Sequence, residues 1–524
     1  MAGGRSGGSA SGPVTFGGLL RGSLLYTIGS VVPRIGIFLL LPIYTRGMGP
    51  AEFGIFSLML SLAGLLTILY RLGQDGALLR FHFDLASKRA AALYWTLTAI
   101  TVVAGIAFSL VLVTLAGPVF AAIFAGIDLW PYGWLAAGIA LVTALQFVPT
   151  TWFRATEHPE RVVGFGLATF VVGAAVTLAL VLGLRLGAVG GLLGQLASGL
   201  VAVAVTIALL SRRRPARIDP ELAREGLRFG LPLVPHGLAG WVLNLSDRWV
   251  IGLAIGLGVA ATQRAIGIYS LGYQLGQVVA IVGLALNTAW VPFFYVRGEH
   301  ERGPELLREM TSLSIAALAI LAAFVGVLAP EVVDVLAPVS WGADAAIAAE
   351  VTPLVAIASL VQGLYLMAVS PVFLRKRTAA LPLFTLVAGT VNVGLNLLLI
   401  PRIGVVGAAW STIAGYGALA AGTIWYARRD YRLEFDWARL AALVAIDAGA
   451  ILASLAVQPA NLFMAGAAHV AIGLIAVAAI ALLALGPWGR ARALVAATGG
   501  GAGGVFGEPA AAVSPETPLY PPRG

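Results

Sequence analysis

The feature that most constrains this chain is a series of fourteen apolar runs, each near the roughly 20 residues that an α-helix needs to cross a bilayer. Lipid offers backbone amides no hydrogen-bond partner, and the runs are too long for barrel strands, so each is predicted to be a helix. Hydrophobic residues make up 59% of the 524 residues and charged residues only 11%, which excludes a soluble globular protein. The sequence therefore predicts an all-α, polytopic membrane protein with about 14 transmembrane helices. The runs lie near 23–44, 53–72, 90–115, 131–150, 161–183, 188–210, 230–256, 266–288, 311–329, 351–373, 379–400, 404–426, 438–456 and 463–486.

The basic residues indicate which loops face the cytoplasm. With the N-terminus placed inside, only four of the 33 lysines and arginines fall in outside loops, and two lie within spans. Such a bias predicts cytoplasmic N- and C-termini in the plasma (inner) membrane. The net charge of +9 is therefore a topology signal, and nucleic acid is not expected as a partner. The four outside residues are Arg46, Arg185, Arg264 and Arg402.

An internal repeat relates two groups of six helices. The segment FGIFSL at 53–58 resembles IGIYSL at 266–271, and RLGAVG at 185–190 resembles RIGVVG at 402–407, at nearly the same offset. Six is an even number, so the two halves have the same orientation. The repeat thus predicts two six-helix lobes related by a pseudo-twofold axis along the membrane normal, followed by a C-terminal helix pair.

The predicted domain layout follows from the runs and the repeat. In the linker, Asp219 and Pro220 form a helix-start signal, and the apolar residues after them predict an amphipathic helix along the inner membrane surface. The layout is a flexible cytoplasmic leader at 1–20, an N-lobe at 21–210, a cytoplasmic linker at 211–229, a C-lobe at 230–430, the helix pair at 431–486 and a disordered cytoplasmic tail at 487–524.

Two arginines lie at membrane depth in corresponding spans. Arg34 is in the first span and Arg248, next to Asp247, is in the seventh. A charge at membrane depth indicates a functional site that faces a cavity or a partner. Adjacent residues point about 100° apart on a helix, so Asp247 is a poor direct partner for Arg248. We expect Arg34 and Arg248 to line a central basic cavity; the alternative for Arg248 is a structural ion pair between helices.

Other polar residues near or within the spans allow two interpretations each. Asp447 and His469 lie in the last two spans, where antiparallel neighbours bring them close; they act in proton or ion coupling, or form a structural buried pair. Arg71, Asp75 and Arg80 lie where the second span ends inside. They guide an anionic substrate at the cytoplasmic cavity mouth, or are ordinary positive-inside residues.

The sequence offers no sign of an enzyme site. It contains no cysteine, which excludes disulfides and thiol catalysis. It also lacks zinc-ligand spacings and a phosphate-binding GxxxxGK[ST] loop. Its one GxSxG string, at 4–8, lies in the Gly/Ser-rich leader and not at the strand-to-helix turn that this motif needs. We therefore predict that the protein is not an enzyme and has no cofactor and no metal site.

Three segments together carry a resemblance to a known family. They are LLLPIYTRGMGPAEFGIFSL (Leu39–Leu58), LPLVPHGLAGWVLNLSDRWVIG (Leu231–Gly252) and VNVGLNLLLIPRIGVVGAAW (Val391–Trp410). Over roughly residues 20–430 the chain resembles the polysaccharide-flippase branch of the multidrug/oligosaccharidyl-lipid/polysaccharide exporter superfamily. The resemblance implies two lobes around a central cavity lined by helices 1, 2, 7 and 8.

The resemblance also implies a function. An undecaprenyl-pyrophosphate-linked oligosaccharide would be translocated from the inner to the outer leaflet, by alternating access, for cell-surface polysaccharide biosynthesis. The implied partners are this polyprenyl-pyrophosphate-linked glycan, membrane lipid, and a glycan polymerase or glycosyltransferases of the same pathway. In related lipid II flippases an extra helix pair forms a groove for the lipid tail, and the last two helices are expected to act similarly.

On this basis, the substrate pyrophosphate is expected to bind Arg34, Arg248 and Asp247 in the central cavity, because guanidinium groups match phosphate oxygens. Three alternatives stay open. A cation-coupled multidrug efflux pump of the same superfamily would favour intramembrane acids in a lobe, and helices 1–6 have none. A lipid II flippase would share the fold. A membrane glycosyltransferase would need a sizeable catalytic loop outside.

Overall fold

The computed structural model describes Gly36 and residues 38–84, 87–114, 117–212, 217–298, 300–457 and 462–497. These residues form helices and short connections, with no strand among them. After helical residues 38–47, the N-lobe contains α1 (Pro50–Arg71), α2 (Gln74–Asp84), α3 (Ser87–Thr114), α4 (Gly117–Ile123), α5 (Trp134–Ala144), α6 (Phe147–Ala155), α7 (Pro159–Thr177) and α8 (Gly187–Ser211).

The second half of the chain begins with the linker helix α9 (Pro220–Gly230). The C-lobe contains α10 (Val234–Leu245), α11 (Asp247–Ala254), α12 (Val259–Gly276), α13 (Val278–Arg297), α14 (Gly303–Val327), α15 (Ala329–Leu336), α16 (Ala346–Leu374), α17 (Leu381–Ile403) and α18 (Val406–Ala427). The C-terminal pair is α19 (Trp437–Ala456) and α20 (Leu462–Ala497). The predicted all-α fold class is confirmed.

Eleven helical segments of the described residues are long and apolar enough to cross a membrane. Two further predicted runs are helical but are not among the eleven: 230–256, which is broken into α10 and α11, and 404–426, which corresponds to α18. The first run, 23–44, lies mostly outside the described residues. The total of fourteen therefore stays a prediction.

The two lobes meet where α1 crosses α12, at the glycines that the sequence repeat relates. A methyl group on Gly54 would lie 1.9 Å from the carbonyl oxygen of Gln263, and one on Gly267 would lie 1.8 Å from that of Pro50. Only glycine permits this approach of backbone to backbone. The repeat thus supplies one glycine from each lobe to a single crossing.

Two side chains donate hydrogen bonds from one lobe to the other beside the crossing. The buried indole of Trp341 donates to the carbonyl oxygens of Thr45, at 3.0 Å, and Met48, at 3.2 Å. The side-chain amide of Gln263 donates to the carbonyl of Ala125 at 3.0 Å. We call the crossing of Gly54 with Gly267, together with the Trp341 and Gln263 bonds, the outer seal, because the predicted topology places this end of the bundle outside.

Contacts between α1 and the C-lobe continue towards the opposite end. Ser61 lies midway, where its carbonyl accepts from the Trp241 indole at 2.9 Å and its hydroxyl donates to the Leu245 carbonyl at 3.1 Å. At the inner end, a methyl group on Gly237 of α10 would lie 3.1 Å from the Ile68 side chain of α1. The lobes are therefore in contact along the whole length of α1.

The linker helix α9 begins with the predicted cap. The Asp219 carboxylate accepts from the backbone N–H groups of Glu221 and Leu222 and forms an ion pair with Arg89 at 3.2 Å. Burial alone would raise the pKa of Asp219, but these donors outweigh it and leave the pKa below its ordinary value. The apolar face of α9 packs on the N-lobe rather than lying free along the membrane, because Leu222 is buried in a cluster with Leu97 and Phe147.

The tail differs from the prediction that residues 487–524 are disordered. Helix α20 continues through Pro487 to Ala497, because the residues after the proline are mainly good helix formers. Arg490 also forms an ion pair at 3.4 Å with the buried carboxylate of Glu309. The predicted leader at 1–20 and residues 498–524 lie outside the described residues.

We expect Gly54→Ala to disrupt the outer seal, because the added methyl group would collide with backbone atoms that cannot rotate away. Overpacking of this kind costs about 1–3 kcal/mol, so the melting temperature of the purified protein should fall. The matched control is Gly164→Ala, where a methyl group would meet nothing within 4 Å in α7, and where alanine favours the helix. Equal melting temperatures for both variants would contradict the tight crossing.

Candidate functional site

A break in the span that carries Asp247 and Arg248 forms the candidate site. Helix α10 ends at Leu245 and α11 begins at Asp247, with Ser246 between them. The Ser246 hydroxyl donates to the Val242 carbonyl at 2.5 Å, and the same carbonyl also accepts from the Ser246 backbone N–H. The break places two charged side chains at the start of a new helix, inside the C-lobe.

The Asp247 carboxylate accepts hydrogen bonds from three other helices. Its Oδ2 accepts from the Tyr269 hydroxyl of α12 at 2.6 Å and from the Thr412 hydroxyl of α18 at 3.1 Å. Its Oδ1 accepts from the Asn396 amide of α17 at 2.7 Å. The residue has 0% exposure. Asp247 therefore holds four helices of one lobe together.

Arg248 points away from this carboxylate, towards α12. Its Nε donates to the Ser270 hydroxyl at 3.1 Å, and its guanidinium lies 4.8 Å from the centre of the Tyr273 ring, a cation–π distance. The residue is only 4% exposed, yet its Nη1 atom is buried without a hydrogen-bond partner. Neither Asp247 nor any other described acid forms an ion pair with it. Arg248 thus has unused donor capacity inside the C-lobe.

A second polar layer lies one helical turn from Asp247. The Tyr416 hydroxyl donates to the Asn244 side chain at 2.6 Å, and the Tyr273 hydroxyl donates to the Asn244 carbonyl at 2.9 Å. Sequence reasoning missed these tyrosines and Tyr269. A signal was available, because Tyr269 lies within the repeated segment 266–271 and Tyr273 follows four residues later, on the same helix face.

The structure places the other predicted site residues as follows. Arg34 lies outside the described residues, so its juxtaposition with Arg248 stays a prediction. Arg71 donates to the carbonyls of Thr143, at 2.8 Å, and Ala144 at the end of α5, and lies 4.0 Å from Asp75. A cation there complements the helix dipole. Arg80 is exposed farther along α2.

Asp447 and His469 are not brought together. The Nδ1 of His469 contacts the Glu331 carboxylate at 2.5 Å, and its Nε2 lies 2.9 Å from the carbonyls of Ser454 and Val457. Both oxygens of Asp447 are buried with no partner. Sequence reasoning missed Glu331, which lies in a connection between spans, 138 residues from His469.

An apolar groove of about 420 Å³ flanks the broken span. It lies between α10 and α17 and is lined by Ala239, Val242, Gly389, Val393 and neighbouring residues, with Thr390 as its polar member. Gly389 and Gly394 have no side chains that could fill the groove. Its walls offer hydrocarbon contacts to a chain-like ligand.

The helices form a two-lobed membrane bundle, with glycine-mediated contacts between the lobes and a buried guanidinium in one lobe. This combination is typical of a membrane transporter or flippase. The family model described as "Polysaccharide biosynthesis protein" matches residues 19–295. The chain belongs to this family, and the resemblance stated from its sequence is confirmed.

One curated relative and several solved structures are similar to the chain. "Lsg locus putative protein 1" of Haemophilus influenzae is 24% identical over 303 residues, which cover 53% of this chain and 66% of that relative. The solved structure "Lipid II flippase MurJ, inward closed conformation" has a TM-score of 0.65 at 13% identity and covers 87% of this chain and 98% of its own.

Two transporters of the MOP superfamily are also similar, each with a TM-score of 0.52 at 16% identity, covering 81% of this chain and 96% of their own. One is a multidrug resistance MATE family transporter in an inward-facing conformation, and the other is from Pyrococcus furiosus. At these identities the likeness concerns the fold. The protein is a multi-pass membrane protein with a flippase or transporter fold.

We expect Asp247→Ala to destabilise the C-lobe, because the donors of Tyr269, Asn396 and Thr412 lose the acceptor that they share. An unsatisfied buried polar group costs about 1–3 kcal/mol, so the melting temperature of the purified protein should fall clearly. The control is Thr390→Val on the same helix as Asn396, since the exposed Thr390 hydroxyl bonds only the Leu386 carbonyl of its own helix. An unchanged melting temperature for Asp247→Ala would contradict the network.

Proposed function

We propose that this protein flips an undecaprenyl-pyrophosphate-linked oligosaccharide from the inner to the outer leaflet of the plasma membrane, by alternating access, for cell-surface polysaccharide biosynthesis. Membership of the polysaccharide biosynthesis family supports the class of cargo. The two-lobed fold supports rocking of one lobe against the other. The glycan polymerase or glycosyltransferases of the same pathway are its proposed partners.

The observation that carries the site assignment is the buried Nη1 of Arg248, which has no hydrogen-bond partner. Buried charged groups are normally satisfied, and an exception calls for an explanation. A pyrophosphate oxygen that reaches Arg248 when the lobes separate would supply the missing acceptor. Guanidinium forks bind phosphate oxygens through two parallel hydrogen bonds, so a diphosphate is the matching chemical class.

Asp247 and Arg248 have different roles in this proposal. Three donors already engage Asp247, so this side chain fixes the helix that carries Arg248 and does not contact substrate directly. Arg34, at the corresponding position of the first span, would supply the second guanidinium. Arg71, Asp75 and Arg80 remain the proposed cytoplasmic mouth, although Arg71 already donates to two carbonyls.

The closed contacts along α1 indicate which parts must move. The outer seal joins the lobes at one end, while the contact of Gly237 of α10 with Ile68 of α1 joins them towards the other. Opening either end in turn exposes a chamber between the lobes to one side of the membrane. The polyprenyl chain stays in lipid meanwhile, and the groove between α10 and α17 is a surface along which it can lie.

We expect Arg248→Ala to lower flipping of a polyprenyl-diphosphate oligosaccharide at least about tenfold, because loss of one charge-assisted contact costs about 1.5–3 kcal/mol. Arg248→Lys should be intermediate, since it keeps the charge and loses the fork. Arg34→Ala should resemble Arg248→Ala. Flipping is measured in proteoliposomes that contain the purified protein and the labelled lipid.

The control for these variants is Arg402→Ala. Arg402 is exposed and bonds a carbonyl of its own helix, so its loss should leave flipping unchanged. Full flipping by the Arg34→Ala, Arg248→Ala double variant would refute the site assignment. No flipping of this lipid by the unmodified protein would refute the proposed substrate.

We also expect a disulfide across the outer seal to stop flipping reversibly. A Cβ built on Gly126 lies 3.3 Å from the Val259 Cβ of the other lobe, close to the 3.5–4.5 Å typical of disulfides. The chain has no cysteine of its own, so Gly126→Cys with Val259→Cys introduces the only pair. Oxidation should abolish flipping and reduction should restore it, while Val259→Cys alone should respond to neither. Undiminished flipping after complete cross-linking would contradict alternating access.

A further inference from the structure

The C-terminal pair contains a buried acid with no protein partner. Asp447, in the middle of α19, has 0% exposure, and both of its oxygens lack a hydrogen-bond partner. Apolar side chains that pack α19 against α14 and α20 surround this level of the helix, among them Leu443, Ala450 and Ile451. A bare carboxylate in such a core would cost several kcal/mol. The side chain is tolerable there when it binds a proton.

A second titratable group lies towards the outer end of the same two helices. His469 of α20 is 2% exposed and contacts Glu331 of α15 through Nδ1. Its Nε2 donates to carbonyls at the end of α19, those of Ser454 and Val457. Because Nε2–H is committed to these carbonyls, one proton is shared between Nδ1 and the Glu331 carboxylate. The Glu331 side chain is 18% exposed, so the dyad is not sealed inside the protein.

The dyad and Asp447 lie on one buried face of α19. Ser454 follows Asp447 by seven residues, which is two turns, and both are buried. Two turns correspond to about 10 Å along the axis, which is too far for a direct hydrogen bond, so the proton must be carried by water that enters when the helices shift. The next charged groups along these helices lie at the inner end. They are Arg308 and Glu309 of α14, Asp436 and Arg439 at the start of α19, and Arg490 of α20, which pair with one another.

We propose that Asp447 is a proton-binding site that couples export to the proton gradient, loaded from the outer side through the Glu331–His469 dyad. This inference rests on the proposed flippase function and names its driving force. The proton shared by Glu331 and His469 passes to an Asp447 oxygen, and the dyad takes another from outside. Release of that proton to the inner side, when α19 and α20 shift against α14, completes one inward transfer for each lipid moved outward.

The geometry favours a proton over a metal cation. A sodium or calcium ion needs several oxygen ligands, as hard cations do, and no polar atom of the described residues contacts Asp447. A single carboxyl group binds a proton without any further ligand. Asp334, three residues after Glu331, is exposed. Asp447 is the one acid among the described residues of α19 and α20, and it must be neutral when it is buried without a partner.

The test measures flipping against a pH gradient in proteoliposomes that contain the full-length protein and a labelled polyprenyl-diphosphate oligosaccharide, with the membrane potential clamped at zero by potassium and valinomycin. If one proton moves per lipid, each unit of acidification on the outer side should raise the steady-state ratio of outer to inner lipid about tenfold. Asp447→Asn, which mimics the protonated form, should flip lipid with no response to the gradient. His469→Gln should respond more slowly.

The matched control is Asp334→Asn, which removes an exposed acid near the dyad and should leave the response intact. A gradient response retained by Asp447→Asn, or absent from the unmodified protein that still flips lipid, would overturn the proposal. Infrared difference spectroscopy of the purified protein gives a readout that needs no substrate. The difference between the spectra of the unmodified protein and Asp447→Asn at neutral pH should contain the C=O stretch of one protonated carboxylic acid, and its absence from that difference would overturn the assignment.

The two proposals fail in different ways. Absence of flipping by the unmodified protein in every arm would refute the lipid substrate, and the infrared band would then decide on Asp447 alone. Flipping that ignores the pH gradient would leave the flippase function standing and remove the proton site.

Discussion

The contact on which the rest of the structure depends is the crossing of two backbones at Gly54 and Gly267. A methyl group on either glycine would overlap a backbone carbonyl of the other helix, so the two backbones are in direct contact here. Without side chains between them, α1 and α12 fix the distance between the lobes at one end. Ser61 and then Ile68 continue the contact between the lobes along α1.

Buried polar atoms without a hydrogen-bond partner are informative in this protein because hydrocarbon surrounds its helices. Lipid offers no hydrogen bonds, so the polar groups of membrane helices find partners within the protein. Asp247 follows this rule with three donors. Arg248 and Asp447 do not, since each retains buried polar atoms without a partner. The Arg248 guanidinium is suited to binding an anion, and the Asp447 carboxyl group is suited to binding a proton. A proton-driven exporter of anionic lipids would need both.

Much of the fold could be predicted from the sequence, because membrane helices are long apolar runs and because the chain repeats itself. The repeat related Gly54 to Gly267 as equivalent positions, although it did not reveal that they touch. The adjacent charges at 247 and 248 marked this span as a candidate site, but its break at Ser246 was not predicted. The continuation of α20 to Ala497 was not predicted, since a proline followed by a glycine-rich tail resembles a helix end. The pairing of Arg490 with Glu309, which accompanies it, is a contact between distant residues.

Side-chain partners were harder to predict, for a physical reason. The partners of Asp247 come from α12, α17 and α18, and Glu331 reaches His469 from a connection between spans. Such pairs depend on how helices rotate about their axes when they pack, and one sequence does not specify that rotation. Adjacency of Asp447 and His469 on antiparallel neighbours was a reasonable expectation, yet two turns of α19 separate the acid from the carbonyls that His469 binds.

The outer seal is made entirely from neutral groups: an indole, a side-chain amide, backbone carbonyls and two glycines. Its separation therefore carries no elementary charge through the electric field across the bilayer, so voltage does no work on that step. Salt does not screen it either, since screening acts on charges. Electrical energy, worth about 2.3 kcal/mol per charge per 100 mV, acts instead on charged groups such as the Arg248 guanidinium. The closing contact is therefore equally strong in energised and resting cells.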